Sequence, residues 1–114
     1  MSFLIFMKLK DKRCDCATGN VQRLTQEEIE MLLKEVKGWE VVDSHHLSKE
    51  YTFKKYLEAV QFVTQLAAIA EEQNHHPDIY LTWGKVRVEI YTHVVNGLSD
   101  NDFILAAKYD ALKK

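Results

Sequence analysis

The chain has 114 residues, 46% hydrophobic and 28% charged, with a formal net charge of -2. This length fits one domain with its own core, and the near-neutral balance excludes a basic surface that would draw in nucleic acid by charge alone. No apolar run approaches the ~20 residues of a membrane span, and Phe3-Leu4-Ile5-Phe6-Met7 is shorter than the ~7–15 residues of a signal-peptide core, so a cytoplasmic protein is expected.

Residues 1–20 show no hydrophobic period and are expected to form an extension outside a domain spanning 21–114. Ser2 to Leu9 reads as an edge strand, and the polar stretch that follows ends in the turn signals Gly19 and Asn20. Cys14 and Cys16 sit too close together for a structural framework and are expected to be reduced thiols in a loose segment. Removing this extension is expected to leave folding and catalysis intact.

A helix is predicted from the capping box Thr25-Gln26-Glu27-Glu28, with Ile29, Leu32, Leu33 and Val36 as its apolar stripe and Gly38 as its stop. Residues 39–42 and 47–53 read as two strands joined through Asp43-Ser44, which leaves His45-His46 in a solvated turn. Tyr56 to Gln73 carries the longest helical pattern. Its stripe is Tyr56, Val60, Val63, Ala67 and Ala70, flanked by Ala59, Phe62, Leu66 and Ile69. So broad an apolar face predicts a helix covered by a sheet and by a neighbouring subunit. Asn74 caps it and Pro77 forbids its continuation, placing His75 and His76 at a helix-to-strand junction. A hairpin around Gly84 follows, with Val86, Val88 and Ile90 inward and His93 on the polar face or at the strand end. Ser99-Asp100-Asn101-Asp102 caps a last helix with Phe103, Ala107 and Ala111 on its apolar side. The expected fold is α+β in the order α-β-β-α-β-β-α, a four-stranded antiparallel sheet with three helices packed on one face.

Three of the five histidines, His75, His76 and His93, fall in one stretch with Glu71, Trp83 and Asp102. Histidine exchanges protons near neutral pH and also ligates metals, so both proton transfer and metal binding are open from residue type alone. Adjacent side chains in extended backbone point apart, which disfavours His75 and His76 as joint ligands. A His-cluster metal site stays open as an alternative on the residues alone, and no cofactor is expected. A non-catalytic oligomerisation module is the other alternative, suggested by the broad apolar helix.

The spacing Glu71, three residues, His75-His76-Pro77, five residues, Trp83, nine residues, His93, eight residues, Asp102 resembles the signature of the pterin-4a-carbinolamine dehydratases. Asn74 departs from it mildly, since that position is often acidic in the family. The resemblance implies a hydro-lyase that converts 4a-hydroxytetrahydrobiopterin to quinonoid dihydropterin in tetrahydrobiopterin recycling. It implies no metal, a homodimer or homotetramer, and in some animal members a second role as dimerisation cofactor of a homeodomain protein. It assigns His75, His76 and His93 to catalysis and Glu71, Pro77, Trp83 and Asp102 to the substrate. Within that set His75 and His93 suit the acid–base pair, His76 suits orienting the pterin, and Glu71 or Asp102 suits favouring positive charge on it. Taken singly, Asp102 also reads as a helix cap and Trp83 as a core residue of the hairpin.

Overall fold

The computed structural model describes residues 8–15 and 21–112. Its elements are α1 (Gln26–Leu33), β1 (Glu40–Val42), β2 (His46–Thr52), α2 (Tyr56–Gln73), β3 (Asp78–Thr82), β4 (Lys85–Ile90) and α3 (Asp100–Asp110), with short 3-10 turns at Leu9–Asp11 and His93–Val95. The sheet runs β1-β2-β4-β3 with every neighbouring pair antiparallel. The fold is thus α+β with three helices and a four-stranded antiparallel sheet.

The strand pattern follows the two-residue pleat. Val86, Val88 and Ile90 of β4 are buried while Lys85, Arg87 and Glu89 alternate to the other face. Leu47 and Tyr51 of β2 share the inner face, and together with Ile29, Phe62, Leu66, Phe103 and Leu105 they make one core beneath the helices. Lys49 also points inward, over the Trp39 and Tyr51 rings, and is neutralised by Asp110 at 3.0 Å. Asp110 further accepts from Trp39 Nε1 at 2.9 Å and from the Lys37 backbone at 2.8 Å, pinning the end of α3 to the start of β1. Burial, with Asp110 adding to it, pushes the Tyr51 hydroxyl above its ordinary range.

All three helices differ in part from the sequence expectation. The capping box of α1 forms as predicted, yet the helix ends at Leu33 rather than running to Gly38. Glu35 and Val36 bond to carbonyls three residues back, a tightened turn that takes the place of a further α-turn. Gly38 closes that turn at φ +77, a conformation L side chains rarely adopt. The second difference is α3. It is buried from Asn101 through Ala107 and again at Tyr109, whereas the sequence suggested a single apolar side. This helix lies inside the layer, contacted by α1, α2 and the Leu9–Asp11 turn. On α2 the buried stripe is Ala59, Phe62, Leu66, Ala70 and Gln73, so the predicted Tyr56 and Ala67 are exposed in the single chain.

The strand expected over Ser2 to Leu9 is not found where the chain is described: Leu9 lies in a 3-10 turn, and Ser2 to Met7 lie outside the described residues, as do Cys16, Gly19 and Asn20. Residues 13–15 are docked. The Cys14 backbone donates to Gln73 Oε1 at 2.9 Å. Asp15 N–H donates to Asn101 Oδ1 at 2.6 Å, and Asn101 Nδ2 returns a bond to Asp15 O at 3.2 Å. Arg13 reaches the Glu72 carbonyl at 3.3 Å. His45 and His46 are half-buried rather than a solvated turn.

Bonds of this kind contribute about 0.5–1.5 kcal/mol each, and the cost rises where a buried partner is left unsatisfied. Gln73 and Asn101 are both buried and both lose partners if the arm is removed. A chain beginning at residue 16 is expected to lose about 2–4 kcal/mol of stability, read as a lower urea midpoint, in contrast to the neutral outcome expected from the sequence.

Candidate active site

The site begins with the way α2 stops. Asn74 takes a left-handed conformation at φ 52, and the His75 N–H bonds back to the Ala70 carbonyl at 3.1 Å. This is the asparagine cap read from the sequence, and it turns the chain sharply at the helix end. Pro77 then holds His76 in extended geometry, so His75 and His76 face opposite ways. His75 turns inward and is 5% exposed. His76 stays outside, where its Nε2 meets Glu71 Oε2 of the last turn of α2; the two side chains are 55% and 77% exposed. An ion pair this open to water contributes ~0–1 kcal/mol at most, so its consequence is orientation of the ring rather than stability.

Opposite His75 stands Asp102, which is fully buried. It occupies the third position of α3, and its carboxylate has three partners. Oδ1 lies 2.7 Å from His75 Nε2, while Oδ2 accepts from the Ser99 backbone at 2.8 Å and from the Thr92 hydroxyl at 2.9 Å. Thr92 has a single hydroxyl proton and spends it on Asp102. The 2.7 Å contact between Thr92 and Ser99 therefore runs from the Ser99 hydroxyl to the Thr92 oxygen. With Asp102 taking the Nε2 proton, a neutral His75 is the tautomer whose basic nitrogen is Nδ1. Thr92 immediately precedes His93, which opens the exposed His93–Val95 turn. One carboxylate thereby joins the end of α2, the end of β4 and the start of α3.

Asn74, His75, His76, Thr92, His93 and Val94 line a cavity of about 260 Å³. That is near the lower end of the ~300–1,000 Å³ common for small-molecule sites. A roomier cleft of about 580 Å³ lies between α1 and the start of α3, but no histidine lines it. The tertiary structure thus brings the three predicted histidines together, with Glu71 at the rim through His76 and Pro77 setting the backbone. It does not bring Trp83. That residue is 79% exposed at the β3–β4 turn, and the five residues from Asp78 put it about 16 Å along the strand from the histidine end. Within one chain Trp83 is not a core residue of the hairpin, and it does not line the histidine cavity. Asp102 is sealed from solvent, and its link to the cavity is the bond to the His75 ring. Thr92 and Ser99 escaped the sequence reading, Ser99 being seen only as a cap. The adjacency of Thr92 to His93 was the one available signal.

The family model described as pterin 4 alpha carbinolamine dehydratase matches residues 22–112. The chain belongs to that family. A Rubrobacter xylanophilus relative provisionally named as a pterin-4-alpha-carbinolamine dehydratase is 45% identical over 105 residues, 92% of this chain and 98% of its own. A Rickettsia bellii relative with the same provisional name is 44% identical over 110 residues, 96% of this chain and 97% of its own. Among solved structures, a transcriptional coactivator/pterin dehydratase from Brucella melitensis superposes with a TM-score of 0.75 at 33% identity, covering 79% of this chain and 97% of that one. As a pterin-4a-carbinolamine dehydratase family member, the chain holds the residues that resemble the signature within the matched span, while residues 8–15 precede it.

The role of Asp102 has a measurable consequence. Asp102→Ala strips three buried donors of their acceptor and is expected to cost about 3–5 kcal/mol, seen as a large fall in urea midpoint. Asp102→Asn keeps the shape and part of the bonding. It is expected to fold with a smaller loss and to show its main defect in the orientation and tautomer of His75, visible in the imidazole nitrogen signals.

Proposed function

We propose that this protein is a hydro-lyase that dehydrates 4a-hydroxytetrahydrobiopterin to quinonoid dihydropterin by histidine acid–base catalysis, as a step in tetrahydrobiopterin recycling. The observation that carries the reading is the meeting of His75, His76 and His93 in one small cavity, with a buried carboxylate fixing the ring of His75. The reaction needs a proton delivered to the departing 4a-hydroxyl and another taken from the adjacent ring nitrogen, whose lone pair forms the new C=N bond as water leaves. Two histidines presented from separate backbone segments suit these two transfers, because their positions are set independently and an imidazole can either give or take a proton. His76, oriented by Glu71, is assigned to holding the pterin.

The proposal places the enzyme in the cytoplasm, as a domain of residues 21–114 preceded by an extension. Among the described residues no helix is long and apolar enough to cross a membrane. It also takes the chain to be a homodimer or homotetramer. Tyr56 and Leu57 on α2 are 46% and 71% exposed, an apolar surface that the single chain leaves uncovered. Light scattering at micromolar concentration is expected to give a mass of at least two chains, and a monomer would remove this part of the proposal.

Turnover of the 4a-carbinolamine by purified protein tests the function directly. His93→Ala and His75→Gln are each expected to lower kcat by roughly 10²–10⁴-fold, with His76→Ala acting mainly on KM and His46→Ala leaving kcat nearly unchanged. Glutamine at position 75 is preferred to alanine because it keeps a donor toward Asp102. Wild-type turnover in both His75→Gln and His93→Ala would end the histidine mechanism.

A further inference from the structure

Two residues outside the histidine signature, Arg23 and His45, converge on the turn that carries His93. Arg23 precedes α1, and its guanidinium donates from Nε and Nη2 to the Val95 carbonyl at 3.1 and 2.6 Å, and from Nη2 to the Asn96 carbonyl at 2.8 Å. Carbonyls at the end of a helical turn have no N–H ahead of them, so a planar fork spanning two of them holds the turn at its open end. The approach depends on Gly97, where an added Cβ would lie only 2.8 Å from Arg23 Nε. Asn96-Gly97, read from the sequence as a turn signal, therefore also makes room for the guanidinium.

From the other side, the His45 ring reaches the same turn. Its Nε2 lies 3.0 Å from Asn96 Oδ1, and its Nδ1 lies 3.1 Å from His46 Nδ1. With the amide oxygen facing the ring, a neutral His45 carries its proton on Nε2 and accepts from His46 at Nδ1. The His45 ring packs on Tyr91 at 4.4 Å between centroids, and Tyr91 packs on His93 at 4.3 Å. His93 is exposed, as is Val94 next to it, so little else among the described residues restrains the imidazole.

We infer that Arg23 and His45 are positioning residues for His93: Arg23 fixes the backbone of its turn, and His45 fixes its ring through Tyr91 and Asn96. The inference rests on the dehydratase reading above for its kinetic consequence, though not for its geometry. A catalytic imidazole on an exposed 3-10 turn loses rate when its ring samples orientations that do not face the reacting atoms.

The test combines steady-state dehydratase kinetics with imidazole ¹H–¹⁵N spectra of the whole chain, for Arg23→Ala, Arg23→Lys, His45→Ala and the α1 surface control Glu30→Ala. Both Arg23 variants are expected to lower kcat about tenfold with KM within about twofold, and His45→Ala to lower it severalfold. Lysine is included because it keeps the charge but cannot span two carbonyls, and it remains informative if the alanine variant folds poorly. The His93 ring signals are expected to shift in the Arg23 and His45 variants and to stay in place in Glu30→Ala. Unchanged kcat with unmoved His93 signals would overturn the inference, and so would a rise in KM with kcat intact, which would make Arg23 a substrate contact. If the wild-type protein does not turn over the carbinolamine, the functional reading fails by itself. The His93 signals then decide the inference alone, shifted signals supporting the positioning role and unmoved signals ending it.

Discussion

The Asp102 carboxylate is the contact on which the rest of the site depends. A carboxylate with no exposure to water is costly unless its oxygens are supplied with donors. Here the donors come from three places: the His75 ring after α2, the Thr92 hydroxyl after β4, and the Ser99 backbone at the start of α3. Satisfying one buried group thus fixes the relative position of three chain segments. Two of those segments bear the histidines assigned to proton transfer.

The fold supports this carboxylate from outside as well as from within. α3 is sealed on nearly every side, so Asp102 at its start cannot relax toward water. Cys14 and Asp15 grip Gln73 and Asn101, at the two helix ends that meet at the His75–Asp102 contact. The far end of α3 is anchored through Asp110 to Trp39, Lys37 and Lys49. A helix tied at both ends presents its first turn in one place, which is what an oriented imidazole requires.

The site is also asymmetric. His75 is buried and held by a carboxylate, while His76 and His93 stand exposed at the mouth. The three-ring run of His45, Tyr91 and His93, with Arg23 bound to the turn behind it, supplies the exposed histidine with the order that burial gives the other.

Local patterns in the sequence were enough for much of this. The period of Val86, Val88 and Ile90, the capping boxes at Thr25 and Ser99, the Asn74 cap and the Pro77 stop each act over a few residues, and each appears where its chemistry requires. The spacing from Glu71 to Asp102 likewise marked the family, because the motif lies within one contiguous stretch. What the tertiary structure decided concerns partners far apart in the chain. Asp102 reads equally as a cap or a site residue until α2 delivers His75 to its other oxygen. Trp83 belongs to the motif by spacing, yet strand length carries it to the opposite end of the hairpin. Arg23, His45 and the arm at 13–15 have no periodic signal, since their bonds go to backbone carbonyls, to amide groups and to a ring that only folding brings near. Hydrophobic period reports which face is buried; it carries no information on which polar groups meet there, and that depends on the packing of the whole chain.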